Sequence, residues 1–307
     1  MWYPKNAIEL EDKLHTDEQC LEYLFQLRWP DGYKCIKCGS NSFWKKTRGR
    51  FECSECHYES SVLVGTIFEG SNLKLRIWFR AIWLLISEKN GTSALSLQRN
   101  LGLGSYRTAW QMLHKLRDAM VRVDRSKLSG EVEFDEFYLG GKSQSANRAD
   151  PENKLLLTIG VEVNGKGSGR IRIDHIERIN TETVVKSVCN LVEPGSLVIT
   201  DGFGGYNHIE SHGYRHRAHN QKKEKSQDFN DDSRLPRAHR VISLLKRWYY
   251  GTLQGKMSKK YSKSYIEEFV FRFNRRTSKA RGLLFLRVLE NGILLKPKTY
   301  QDRIKST

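Results

Sequence analysis

Two groups of side chains in this 307-residue chain have the types and spacing to do chemistry. The first is Cys35-x2-Cys38 followed by Cys53-x2-Cys56. Each pair can form a tight knuckle that aims two sulfurs at one point, and two knuckles on adjacent hairpins make the tetrahedral thiolate shell Zn²⁺ takes in closed, structural sites. Gly39 follows the first knuckle, where a positive φ suits glycine. Two disulfides or four unrelated buried thiols are the alternatives. The N-terminus lacks the basic-then-apolar profile of a secretion signal, and reduced intracellular thiols bind metal more readily than they form static disulfides, so zinc is expected. Cys20 and Cys189 stand apart and read as small buried hydrophobes. His57, next to Cys56, reads as a solvated loop residue.

The second group is acidic. Asp135 sits in the alternating run Glu131 to Lys142, and Asp201 ends the apolar run Leu197-Val-Ile-Thr-Asp201-Gly202. An acidic side chain on a strand otherwise fit for burial is costly unless it is paired or binds metal. Two facing carboxylates repel, and Mg²⁺, which takes few carboxylates plus water and phosphate oxygens, relieves that repulsion. The competing reading is a strand-end Asp that caps a turn, which Gly202 also fits.

The elements that must position these groups follow from periodicity. The run from Asn72 to Lys89 repeats apolar residues at helical spacing and breaks at Asn90-Gly91. A short helix from Thr92 to Asn100, a Gly-containing turn, and a helix capped by Ser105 and running through Met120 follow the helix-turn-helix pattern. Arg107, Gln111, His114, Lys115 and Arg122 on that last helix have the reach for phosphates or base edges, with Asp118 opposing; an amphipathic helix packed on its neighbours is the alternative. Strands are expected at Glu131 onward, at Leu155 to Val163 and at Arg170 to Ile179, with Asn164-Gly165 as a hairpin turn. A helix from Thr181 to Val192 then leads to the strand ending in Asp201. This α/β order can set Asp135 beside Asp201 on adjacent central strands. The helices Ser262 to Phe273 and Leu283 to Leu294 are expected to cover the sheet.

Composition limits the partners. Lys+Arg number 52 against 35 Asp+Glu, a net charge of +17, which calls for a polyanion. The longest apolar stretch, Trp78 to Ile86, is interrupted by Arg80 and is far short of the roughly 20 residues a membrane span needs. Tyr214 to His219 and Gln221 to Lys225 read as a basic, polyanion-seeking loop. Lys246 to Lys263 holds six Lys/Arg and no acid, interleaved with Trp248, Tyr249, Tyr250 and Tyr261. Such a mixture suits a DNA end with unstacked bases, Arg247 included, although core aromatics with a lysine rim fit equally.

From here the residues resemble a family. Arg28-Trp-Pro-Asp-Gly32 ahead of the cysteines, Tyr106-Arg-Thr-Ala-Trp110, His114-Lys-Leu-Arg117, Asp135-Glu136 with Gly140-Gly-Lys142, Thr200-Asp-Gly202 and Phe271-Arg-Phe-Asn-Arg-Arg276 resemble, in this order, bacterial insertion-sequence transposases of the ISXO type with a zinc ribbon and an RNase H-like catalytic domain. The resemblance implies an α+β multidomain chain: a ribbon segment at 1–70, a helix-turn-helix segment at 71–128 and a catalytic domain with basic C-terminal helices at 129–307. It further implies a metal site of Asp135, Asp201 and a third residue on a later helix, with a basic residue seven positions on. His239 and Lys246 have that spacing, and at about 100° per residue they lie on nearly one helix face. Related transposases usually carry Glu at the third position. Imidazole suits Mn²⁺ better than Mg²⁺ and brings no negative charge. His239 is otherwise a phosphate-binding or structural residue in a chain that does not cut.

The function so implied is cytoplasmic, divalent-metal-dependent cleavage and strand transfer at the terminal inverted repeats of an element into target DNA, by at least a dimer. A silent DNA-binding relative and an RNase H-like nuclease without joining are the rivals.

Overall fold

The computed structural model describes residues 1–46, 49–122, 124–140, 154–219 and 235–305. The chain divides into two compact units, Met1–Arg122 with Ser278–Thr307, and Val123–Thr277.

The first unit opens with α1 (Ala7–Lys13) and α2 (Asp17–Arg28). Thr16 and Gln19 close a capping box at the start of α2, which satisfies two amide groups the helix itself leaves unpaired. A three-stranded antiparallel ribbon follows, β1 (Phe43–Lys45), β2 (Arg50–Cys53) and β3 (Glu59–Ser61). Phe25 of α2 and Trp29, just past its end, pack against Phe51 of β2 with ring centroids 5.1 and 6.0 Å apart. Arg28 donates to the carbonyls of Val62 and Val64, both at 2.6 Å. The ribbon is therefore docked by apolar rings and pinned by a guanidinium. Three helices complete this stretch: α3 (Leu75–Ser87), α4 (Ala94–Leu101) and α5 (Tyr106–Ala119). Ser93 and Ser105 cap α4 and α5, and Gly102 ends α4 in the left-handed conformation, where a Cβ would be strained.

The second unit is a five-stranded sheet with helices on both faces. Its strands are β4 (Glu131–Leu139), β5 (Leu155–Asn164) and β6 (Gly167–His175), then α6 (Thr181–Leu191), then β7 (Leu197–Asp201) and β8 (Arg215–His219). The spatial order is β6-β5-β4-β7-β8, antiparallel through β6, β5 and β4 and parallel from β4 to β7 to β8. A hairpin ladder continued by two parallel strands is the RNase H-like arrangement. Residues of β4 alternate between two cores. Phe137 and Leu139 face α7 (Pro236–Thr252) and α8 (Ser262–Asn274), while Val132 and Phe134 face α6 and Tyr206.

Two expectations change. Tyr214 to His219, expected as loop, contributes the edge strand β8, because pairing with β7 satisfies its backbone even though its side chains are polar. Gln221 to Lys225, like Lys142, lies outside the described residues. Of the two helices expected over the sheet, α8 packs there, against β6. The other, α9 (Arg281–Leu294), packs on α2, α3 and α5 of the first unit, where α10 (Tyr300–Lys305) also lies. Phe285, fully buried, meets Phe79 edge-on at 5.4 Å. Amphipathic periodicity shows that a helix has a buried face, not which core receives it.

Among the described residues, no helix is long and apolar enough to cross a membrane.

Candidate functional site

The four cysteines converge. Their sulfurs lie within 4.8 Å of one another, with Cys35–Cys56 at 3.6 Å and Cys38–Cys53 at 3.5 Å. The two knuckles are matched turns: the amide of Gly39 donates to the carbonyl of Cys35, and that of His57 to Cys53. Both turn residues have positive φ, +77° and +53°. Burial raises the Cys35 thiol, but the backbone N–H groups of Cys38 and Lys37, with the thiols of Cys56 and Cys38, outweigh it and hold the pKa down to about 6, while the same crowding of thiols pushes Cys38 up to about 12. A thiol held toward thiolate is what a metal ligand requires. This is a structural zinc site of four thiolates. His57, two-thirds exposed, pairs with Glu52 at 3.0 Å rather than with the site.

On the sheet, β4 and β7 run parallel, with Glu133 opposite Ile199. Two residues further along each strand stand Asp135 and Asp201. Asp135 shares its face with Phe137, and Asp201 with Leu197 and Ile199, so both carboxylates point toward α7. There His239 Nε2 lies 3.4 Å from Asp135 Oδ2, the imidazole half exposed and the carboxylate nearly covered. Lys246, exposed one face-repeat further along α7, also acts on Asp135 electrostatically. Burial pushes the Asp135 carboxyl above its ordinary range; His239 and Lys246 oppose that and Asp201 adds to it. Asp201 Oδ1 accepts the Phe203 amide at 3.1 Å, so it caps the turn as well as facing its neighbour.

Among the described residues, only the cysteines gather three or more ligand atoms within 4.8 Å; Asp135, Asp201 and His239 are spread more widely. Asp135 and Asp201 stand on adjacent parallel strands, whose backbones are about 4.8 Å apart. A carboxyl pushed up chiefly by burial, with an acidic neighbour adding to the rise, belongs to a donor set whose chemistry fits a divalent cation such as Mg²⁺ or Mn²⁺.

Three participants were not singled out from sequence. Glu133, on the Asp135 face of β4, is 2 % exposed and bonds the start of α7. Glu136, on the opposite face, accepts a hydrogen bond from the buried Tyr206 hydroxyl, and burial raises its carboxyl to about 7 despite that bond, with Asp135 and Asp201 adding to the rise. Period-two alternation in Glu131-Val-Glu-Phe-Asp-Glu held the signal: Glu133 shares a face with Asp135, and an unpaired buried Glu is improbable by cost alone.

The helix expected to read DNA is more enclosed than its sequence suggests. Arg107 is exposed, its guanidinium 3.6 Å from the centre of the Tyr300 ring. Gln111 donates to the Lys298 carbonyl at 2.9 Å. Lys115 is 8 % exposed and its ammonium reaches the Glu69 carbonyl at 3.2 Å, and His114 is fully buried. Arg303 of α10 pairs with Asp118 at 2.7 Å. Residues 297–300 of the C-terminal segment and 69–73 wall a cavity of about 410 Å³ along this face of α5. Lys115 and His114 therefore face inward, a correction to the outer position expected of them; the tail supplies the polar partners that periodicity on α5 alone cannot reveal. Arg122, expected on this helix, lies three residues beyond the end of α5 and is exposed, as is Arg247 on α7.

Known proteins resemble this chain in the same two regions. Residues 15–59 match the transposase zinc-ribbon domain, and residues 127–274 match the ISXO2-like transposase domain. A protein of Halobacterium salinarum described as an uncharacterized protein in transposable element ISH50 is 27% identical over 157 residues. The match takes in 50% of this chain and 51% of that one, so the chain spans about half the length of the curated relative. Among solved structures, the Mos1 strand transfer complex aligns over 70% of this chain and 78% of its own at 13% identity and TM-score 0.29, and a pre-cleavage Mos1 transpososome over the same shares at 11% and 0.25. Similarity that slight carries no weight for the site. The two domain matches fall on one chain in one order, a transposase zinc-ribbon domain at 15–59 followed by an ISXO2-like transposase domain at 127–274.

Proposed function

We propose that this chain is the transposase of an insertion sequence, cutting DNA at element ends and joining them to target DNA with divalent cations. The observation that carries the reading is the pair Asp135 and Asp201 on one face of adjacent parallel strands, with His239 3.4 Å from Asp135. Asp135 and Asp201 would hold Mg²⁺ or Mn²⁺, and His239 would complete the set from α7. Bound there, the cations supply Lewis-acid stabilisation of the phosphodiester and a more acidic water or 3′-hydroxyl. Lys246 binds a phosphate of the transferred strand. Cleavage and joining are both in-line displacements at phosphorus, so one site serves both and no covalent protein nucleophile is needed.

DNA is held by charge. On α7 the exposed residues Arg240, Lys246, Arg247 and Tyr250 run beside His239 along one helix face, which suits a backbone with an unstacked base at its end. In the first unit, α4, the Gly102 turn and α5 act as a helix-turn-helix, whose recognition helix reads with its N-terminal residues. Tyr106 and Arg107 are the exposed residues there, with Arg122 on the backbone. Two ends must be brought together, so the active complex is at least a dimer, working in the cytoplasm. A silent DNA-binding relative is the second reading, favoured by the imidazole of His239, which brings no negative charge, where related chains usually carry Glu.

The test is incubation of labelled element-end DNA and a target plasmid with the full chain in Mg²⁺ and in Mn²⁺. Joined product supports the transposase. Cut but unjoined DNA would make it a nuclease, and bound, uncut DNA under both metals would make it the silent relative.

A further inference from the structure

The helix that carries His239 and Lys246 begins without a cap of its own. Leu235 stands at the N-cap position and makes no side-chain cap hydrogen bond, and Pro236 in the first turn has no N–H. The next two amides, of Arg237 and Ala238, are orphan donors at the positive end of a 17-residue helix. Both donate to Glu133 Oε2 at 2.8 Å. The other oxygen, Oε1, accepts from Arg237 Nη1 at 2.8 Å. The same guanidinium continues to the β5–β6 turn, giving Nε to the Gly167 carbonyl at 3.0 Å and Nη2 to that of Gly165 at 2.5 Å. One buried carboxylate on β4 thus takes two backbone amides and a guanidinium, and the guanidinium ties in the neighbouring hairpin.

Glu133 is two residues before Asp135 on the same face of the same strand, and Ala238 is the residue before His239. The cap therefore fixes the first turn of α7 against β4 at the point where the imidazole must meet the carboxylate. We propose that Glu133 is a positioning residue for the site: held by Arg237, it sets the height and rotation of α7 on the sheet and so holds His239 against Asp135. This rests on reading Asp135, Asp201 and His239 as one metal site. Groups that orient metal ligands typically change metal affinity or activity about 10–100-fold when altered.

The experiment uses the full, zinc-loaded chain and two readouts: Mn²⁺ affinity from the electron paramagnetic resonance signal of free Mn²⁺, and amide hydrogen exchange at 237–239. Glu133→Gln keeps the side chain's volume, and Arg237→Ala removes the guanidinium while leaving the buried strand position intact, so a folding failure of the first leaves the second to decide. Each is measured alone and combined with His239→Ala, with Asp201→Ala as control. Glu133→Gln is expected to speed exchange at Arg237 and Ala238 and to weaken Mn²⁺ about 10–100-fold. Because Glu133 acts through His239, adding His239→Ala costs little more, whereas independent effects would multiply. Wild-type Mn²⁺ affinity in Glu133→Gln and Arg237→Ala while Asp201→Ala abolishes binding, or losses that multiply, would overturn the proposal and leave the site standing. Undiminished binding in Asp201→Ala would remove the site itself and the role of Glu133 with it.

Discussion

Replacing Glu136 by Gln should stabilise the sheet unit at pH 8 and change little at pH 4.5. Burial raises the Glu136 carboxyl from 4.5 to about 7; the Tyr206 hydroxyl opposes the rise, and the charges of Asp135 and Asp201 add to it. Between those values the folded protein binds the proton that the unfolded chain has released. Stability therefore falls as pH rises through this window, the cost being absent below pH 4.5 and complete above about 7. At 1.36 kcal/mol per pH unit the cost is about 3 kcal/mol, against the roughly 5–15 kcal/mol that keeps a domain folded. Gln still accepts the Tyr206 hydrogen bond and never ionises, so the variant is spared this cost. Urea unfolding in zinc-replete buffer without Mg²⁺ or Mn²⁺ reads the effect. Trp248 is the one tryptophan of the 123–277 unit, the other six lying before Arg122, so its ¹⁹F signal in fluorotryptophan-labelled protein reports that unit separately. The difference between variant and wild type should grow from near zero at pH 4.5 to about 3 kcal/mol at pH 8. A flat difference across the window, or one that grows toward acid, would refute the assignment of Glu136 as a buried acid kept protonated by its surroundings.

Tyr206→Phe removes the hydroxyl that lowers the Glu136 carboxyl, so the midpoint of the same pH profile should move above that of wild type; an unmoved midpoint would show the bond has no electrostatic weight. Cys35→Ser should lose zinc and expose the ribbon to protease, checked by metal analysis of the purified chain, since one ligand in four is gone. Phe285→Ala should destabilise the first unit by about 3–5 kcal/mol and leave the Trp248 transition unmoved, because its ring packs on Phe79 and Tyr23. For DNA, Arg107→Ala should reduce the salt dependence of binding by about one charge, while Lys115→Ala, buried on Glu69, should lower thermal stability and leave that slope unchanged.

Local rules made much of this molecule legible. Cysteine spacing is chemistry with a fixed geometry, and the sulfurs meet as it requires. The alternation of Glu131 to Leu139 and the apolar run before Asp201 defined β4 and β7, and Asn164-Gly165 marked the hairpin between β5 and β6. What escaped depends on partners distant in sequence. Tyr214 to His219 is polar and reads as loop, yet β7 offers it a free edge. Leu283 to Leu294 is amphipathic, and periodicity cannot say that its apolar face meets Phe79 instead of the sheet. The outer face of α5 was covered by residues 297–303, nearly two hundred positions away. Glu133 was visible as an acid on the Asp135 face, but its partners, the first amides of α7, belong to a helix a hundred residues on. Such contacts are tertiary, and composition carries no trace of them.

The measurement that tests the account most directly is single-turnover cleavage of labelled element-end DNA by wild type, Asp135→Asn, Asp201→Asn and His239→Ala in saturating Mn²⁺, with zinc content and DNA affinity measured on the same preparations. The account predicts that both Asn variants bind DNA and zinc as wild type does and lose cleavage, and that His239→Ala is slowed and needs more Mn²⁺. Cleavage at the wild-type rate in either Asn variant would contradict it, because the two carboxylates on β4 and β7 would then not be the centre of the chemistry.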